Sequence, residues 1–229
     1  MNQSIFQILS NRAMHERVLL LAIPMVLSNI TVPLLGLVDA AVIGHLEHAW
    51  YLGGVALGST MISVTFWLLG FLRMSTTGLA AQSFGANNHQ QLGLVFVQGI
   101  TMSMGFAAVF LLLHGVVADS IFALSDASEQ VKKYADQYFS IRAWSAPAAL
   151  ANFVILGWLL GAQNAKAPMW MVVVTNTVNI ALDLLFVIGF GWQVEGAALA
   201  SVIADYSGMA FGLYCVWRIW HKKQLPSPL

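Results

Sequence analysis

Six stretches of this sequence are apolar for long enough to cross the hydrocarbon core of a bilayer, which takes about 20 residues as a helix. They run over Val18–Ile43, Leu52–Leu79, Leu92–Ala118, Tyr134–Leu160, Ala167–Phe190 and Gly196–Trp220. Inside lipid a segment has to satisfy its own backbone N–H and C=O groups, so runs of this kind must be helices. The expected fold is therefore an all-α polytopic membrane protein of six transmembrane helices. The composition leaves little room for a soluble alternative: only 9% of the 229 residues are charged and mean hydropathy is +0.75. A soluble domain of this size carries about a quarter charged residues. The connections GHLEHAWY, FGANNHQQ, LSDASEQVKK, GAQNAK and GWQVE are short, and no soluble domain fits between the spans. Ser125 and Ser128 offer caps where the fourth run begins.

Charge narrows the partners. Ten basic and ten acidic residues cancel, which argues against nucleic acid. The single cysteine, Cys215, excludes a disulfide framework or a thiolate metal site within one chain. The first apolar run lacks a small-residue cleavage site and reads as a retained signal-anchor. Loop Lys and Arg set orientation. With a cytoplasmic N-terminus, the inner side holds Arg12, Arg17, Lys166, Arg218, Lys222 and Lys223, against Lys132 and Lys133 outside. Both termini are therefore expected in the cytoplasm. Arg73 and Arg142 fall inside spans; Arg73 reads as a snorkelling side chain, while Arg142 either snorkels outward or answers an aspartate.

A sparse set of polar residues stands out from this apolar background. Asp39 lies about 21 residues into the first span, about 30 Å along a helix, and Asp183 holds a similar outer-half position in the fifth. Asn176, Asn179 and Asp183 recur at i, i+3 and i+7, the spacing of one helical face. Such a stripe must face protein or water, because ionisable groups exposed to lipid are costly. Ser201 and Asp205 stand one turn apart on the sixth span, and Tyr138, Gln137 and Asn152 add polar groups on the fourth. Acids and amides are hard oxygen ligands suited to a proton or an alkali cation rather than a soft metal. Buried polar groups that merely bond helix to helix are the plainer alternative, above all for Ser201, Asn152 and Asp205. Pro24 and Pro33 bracket the helix that carries Asp39, and Pro147 sits in the fourth span; each frees a carbonyl and permits a bend.

The segments LAIPMVLSNITVPLLGLVDAAVIGHL, LGGVALGS, FLRMSTTGLAAQSFGANN, RAWSAPAALAN, GWLLGAQNAKAPM, NTVNIALDLLFVIG and VEGAALASVIA resemble the multidrug and toxic compound extrusion (MATE) transporters. The likeness is greatest to the branch named after the bacterial DNA-damage-inducible protein F. Members have twelve helices in two six-helix halves, and this chain resembles the first half. The resemblance implies a six-helix N-lobe over residues 1–220, a cytoplasmic inter-lobe linker over 221–229 and an absent C-lobe. It implies, further, a cation-coupled antiporter of the bacterial inner membrane, not an enzyme, that exports hydrophobic or cationic drugs. Asp39 matches the first-helix acid whose protonation couples ion entry to drug release. Asn179 and Asp183 match fifth-helix members of the same network, Tyr138 and Ser201 its partners on helices four and six, and Pro24 a proline at which bending has been proposed.

Together these readings place coupling at Asp39, Asp183, Asn179, Asn176, Tyr138 and Ser201. Pro24, Pro33, Asn152, Arg142 and Asp205 are assigned to the cavity or its gating. No prosthetic group and no resident metal is expected; the coupling ion is a proton or a sodium ion, the latter at Asp39, Asn179 and Asp183. A lipid or oligosaccharide flippase of the same superfamily, or an inactive fragment, is the alternative.

Overall fold

The computed structural model describes residues 48–222 and, ahead of them, helical positions 15, 16, 19, 22, 23, 26, 30, 37, 38 and 41–44. Most of the expected first span, with Asp39, Pro24 and Pro33, and residues 223–229 of the expected linker lie outside the described residues.

The described helices are α1 (Ala49–Leu68), α2 (Phe71–Gly85), α3 (His89–Ala123), α4 (Glu129–Ala143), α5 (Ala146–Gly161), α6 (Lys166–Asp183) with a π-helical turn at Leu184–Gly189, and α7 (Gln193–Lys222). Four are long and apolar enough to cross a membrane, counting α1 and α2 as one span over Ala49–Gly85, and a fifth is formed if α4 and α5 are one bent span. The protein is a multi-pass helical membrane protein.

Two of the expected spans are broken. The second tightens at Leu69–Gly70, where Gly70 N–H donates to the Trp67 carbonyl and Arg73 N–H to the Gly70 carbonyl. These are three-residue bonds that replace the α-helical pattern without stranding backbone groups. The fourth is not the single helix expected over Tyr134–Leu160: α4 and α5 meet at 57° across Trp144–Ser145. Pro147 sits in the first turn of α5, where its missing N–H is tolerated and its ring stops α4 from running on. Ser145 closes the corner, its N–H donating to the Arg142 carbonyl at 2.9 Å and its hydroxyl to the same carbonyl at 2.8 Å.

α5 is the hub. Apart from Asn152, its sequence APAALANFVILGWLLG is apolar on every side, as a helix must be to pack on all faces. Leu150, Val154, Ile155, Trp158 and Leu159 are all fully buried. The Trp158 indole, stacked on Trp220, donates its Nε1–H to the Leu92 carbonyl at 2.9 Å. Between membrane helices there is no hydrophobic drive to associate, so close backbone approach matters. Gly157 and Gly161 supply it: a Cβ at Gly157 would come within 2.6 Å of the Arg73 carbonyl oxygen, and one at Gly161 within 2.6 Å of Ala80 Cβ. α1 seats on α4 through a second pair of the same spacing, Gly54 and Gly58 against Tyr134, Ala135 and Tyr138.

Two turns share one chemistry. In Gly85–Asn88, Asn87 takes φ 53° and the Asn88 side chain accepts from Gln91 N–H at 3.0 Å. In Gly161–Asn164, Gln163 takes φ 58° and the Asn164 side chain accepts from Ala167 N–H at 3.1 Å. A left-handed residue ends one helix and an asparagine caps the next. At the other end of the bundle Ser128 caps α4, accepting from Val131 N–H at 3.4 Å, while Ser125 accepts from Ala127 N–H.

Candidate functional site

The polar stripe on α6 is buried. Asn176, Asn179 and Asp183 are 8%, 3% and 2% exposed, in a helix whose other buried positions are Pro168 and Met171. Helical periodicity alone puts them on one face, and that face meets α7. Asn179 Nδ2 donates to Ser201 Oγ at 3.1 Å, joining two residues that the sequence places on separate spans. Asp183 is the last α-helical residue before the π-helical turn, an irregularity common at functional sites. Near this end, an apolar cluster gathers Val42, Ile43, Val55, Tyr138, Val187, Val194 and Ala198. The last described part of the first span therefore packs with α1, α4, the π-helical turn and α7.

One turn along α7 from Ser201 lies a second cluster. Arg142 Nη1 donates to Asp205 Oδ2 at 2.6 Å and to Ser145 Oγ at 2.8 Å. Asn152 Nδ2 donates to the Asp205 backbone carbonyl at 3.0 Å. Of the two readings of Arg142, snorkelling gives way to pairing with an aspartate. At 14% and 20% side-chain exposure the pair is largely removed from solvent, where each charge needs the other.

These residues open onto a cavity of about 230 Å³. Arg142, Asn152, Asn176, Thr175 and Asp205 form its polar side, and Phe66, Phe153, Leu156 and Met171 its apolar side. α7 reaches it closely because residue 208 is glycine: a Cβ there would lie 2.2 Å from Thr175 Oγ1.

The structure thus brings Arg142, Asn152, Asn176 and Asp205 to one cavity and joins Asn179 to Ser201. Arg73 stays exposed on α2. Sequence reasoning missed Ser145 and Thr175, although Ser145, three residues after Arg142, was within helical reach of it. It also left Gln137 without its partner: its amide donates to Glu195 at the start of α7. His48, outside all of this, lies against Trp50 with ring centroids 4.1 Å apart and the planes tilted by 31°.

Comparison with known proteins agrees with this architecture. The sequence profile of the MatE family matches residues 24–185. The DNA damage-inducible protein F of Escherichia coli (strain K12) is 52% identical over 199 residues, which is 87% of this chain and 43% of that protein. A probable multidrug resistance protein NorM of Thermotoga maritima is 26% identical over 86% of this chain and 43% of its own length. A solved MOP superfamily transporter from Pyrococcus furiosus superposes with a TM-score of 0.81 at 23% identity, covering 87% of this chain and 44% of that one. An outward-facing multidrug resistance MATE family transporter gives 0.81 at 24% identity. At these identities the solved structures show the fold, and the chain spans less than half the length of these relatives. A profile match over most of the chain and a relative at 52% identity decide the classification: the chain belongs to the MatE family, whose members are membrane transporters.

Proposed function

We propose that this chain is the N-terminal lobe of a cation-coupled antiporter that exports hydrophobic or cationic small molecules from the cytoplasm. The observation that carries the reading is the buried stripe of Asn176, Asn179 and Asp183 meeting Ser201 across helices. Carboxylates inside membrane helices are rare and mark ion or proton pathways more often than not. Asp183, with Asp39, is the group that takes up a proton or sodium ion from outside. Loss of its charge changes the packing of α6 on α7, which share the Asn179–Ser201 bond, and the adjoining cavity releases its occupant. The apolar wall of Phe66, Phe153, Leu156 and Met171 suits a hydrophobic substrate, with polar groups confined to one side.

Six spans return the chain to its starting side, so a second lobe would insert in parallel and supply the other wall, as in transporters built from parallel repeats. The lobe extends over residues 1–220, and the linker of 221–229 begins within the last residues of α7. It lies in the inner membrane of a bacterium with both termini cytoplasmic. The multidrug resistance and toxin extrusion names of several relatives support the substrate class. A flippase would need a free cation for phosphate in this cavity, and Arg142 is instead engaged by Asp205.

The test is ethidium efflux in everted vesicles driven separately by a proton and a sodium gradient. The arms are this chain alone, this chain joined to a second lobe, and the joined form carrying Asp39→Asn or Asp183→Asn. Efflux is expected only from the joined form and is lost in both variants at unchanged expression. Undiminished efflux by either variant refutes the coupling role; efflux by the 229-residue chain alone refutes the need for a second lobe.

A further inference from the structure

A groove of about 710 Å³ lies between the start of α6 and the last turns of α7, well apart from the polar cavity. Its walls are apolar, with Phe211 and Ile219 among them, and two aromatic residues, Trp170 and Tyr214, stand at its edge about half exposed. Two cations reach into it, Lys166 and Arg218, and no Asp or Glu lines it. Both cations are exposed. Lys166 opens α6 and Arg218 stands in the last turns of α7, so the two lie at the same membrane face whichever way the lobe is oriented. The first turn of α6 contains no acid. Lys166 therefore adds its charge to the positive end of a helix dipole, where a cation is unfavourable and an anion is welcome. Aromatic rings at a helix end mark the headgroup level of a bilayer. Deeper along α7 than these rings the groove continues past Phe211, while Ile219 sits beside Arg218 at the headgroup level.

We propose that this groove seats an anionic phospholipid, its phosphate between Lys166 and Arg218 and an acyl chain along Tyr214 and Phe211. Basic pockets between membrane helices take such headgroups. A zwitterionic lipid fits less well, because its own cation would face two others. A free phosphate meets the charge but leaves the apolar wall unfilled. The site does not depend on the transport reading, since it shares no residue with the coupling stripe or the cavity.

The proposal is tested by native mass spectrometry of the detergent-purified chain with phosphatidylglycerol, phosphatidylcholine or inorganic phosphate added in separate arms. Phosphatidylglycerol is expected to be retained over phosphatidylcholine. Each of Lys166→Gln and Arg218→Gln is expected to weaken that retention about fivefold, with Lys132→Gln at the opposite face without effect. Equal retention of the two lipids overturns the proposal. So does unchanged retention in the variants, or full displacement by equimolar inorganic phosphate. If Arg218→Gln cannot be recovered folded, Lys166→Gln decides alone, because it alters only an exposed first residue of α6.

Discussion

Asp205 has two duties that pull on different helices: its carboxylate holds Arg142 of α4, and its backbone carbonyl accepts from Asn152 of α5. Removing the carboxylate as Asp205→Asn keeps the size but leaves Arg142, 14% exposed, without its counter-charge. The expected cost is about 3 kcal/mol, read as unfolding in detergent followed by tryptophan fluorescence. The double variant Arg142→Gln with Asp205→Asn is expected to recover most of that loss, because no charge is then stranded. Additive losses would show that the pair contributes nothing as a pair. What the sequence made legible at this scale was periodic: the spacing of Asn176, Asn179 and Asp183 dictates a shared face, and that face is buried. Which residue meets which was not legible. Ser201 and Asp205 are a turn apart and look like one site, yet the first answers α6 and the second answers α4. Pairing between helices depends on their relative rotation, which no local spacing encodes.

Elements in this bundle are placed by what their small residues allow. Gly157 lets α5 lie on α2 with the Arg73 carbonyl where a side chain would begin. Gly157→Leu is therefore expected to destroy the monodisperse folded species in detergent size-exclusion chromatography. Gly105→Leu on α3, which meets nothing within 4 Å, is expected to leave it intact. Equal behaviour of the two would mean that the α2–α5 contact is not needed for folding. The existence of the helices could be read from the apolar runs, and Pro147 marked where the fourth would bend. The π-helical turn after Asp183 could not be read, because VIG and its neighbours have the same composition as any apolar helix. Nor could the glycine contacts be assigned to partners, since glycines of the same spacing occur on several spans.

For the whole molecule, the governing fact is that outward faces are apolar: α3 turns Val109, Leu112, Leu113 and Val116 away from the bundle, to be covered by lipid or by further protein. The proposed orientation is open to a direct check in a Cys215→Ala background. Asp126→Cys, between α3 and α4, is expected to react with a membrane-impermeant maleimide in intact cells. Gln90→Cys, at the start of α3, is expected to react only after the membrane is opened. The reverse pattern would invert the lobe and place Asp39 and Asp183 in the inner half. The expected orientation rests on the positions of a few Lys and Arg residues, whereas the bulk of the fold follows from hydrophobic length.

The corner between α4 and α5 has one more attachment, the Tyr206 hydroxyl, which donates to the Trp144 carbonyl at 3.2 Å. Adjacent residues of α7, Asp205 and Tyr206, thus grip that corner at Arg142 and at Trp144. Such a joint behaves as a clutch. A slide by one helical turn, about 5.4 Å, would have to release the ion pair and the phenol bond together. The two contacts on adjacent residues would therefore resist axial slippage of α7 more strongly than a small tilt.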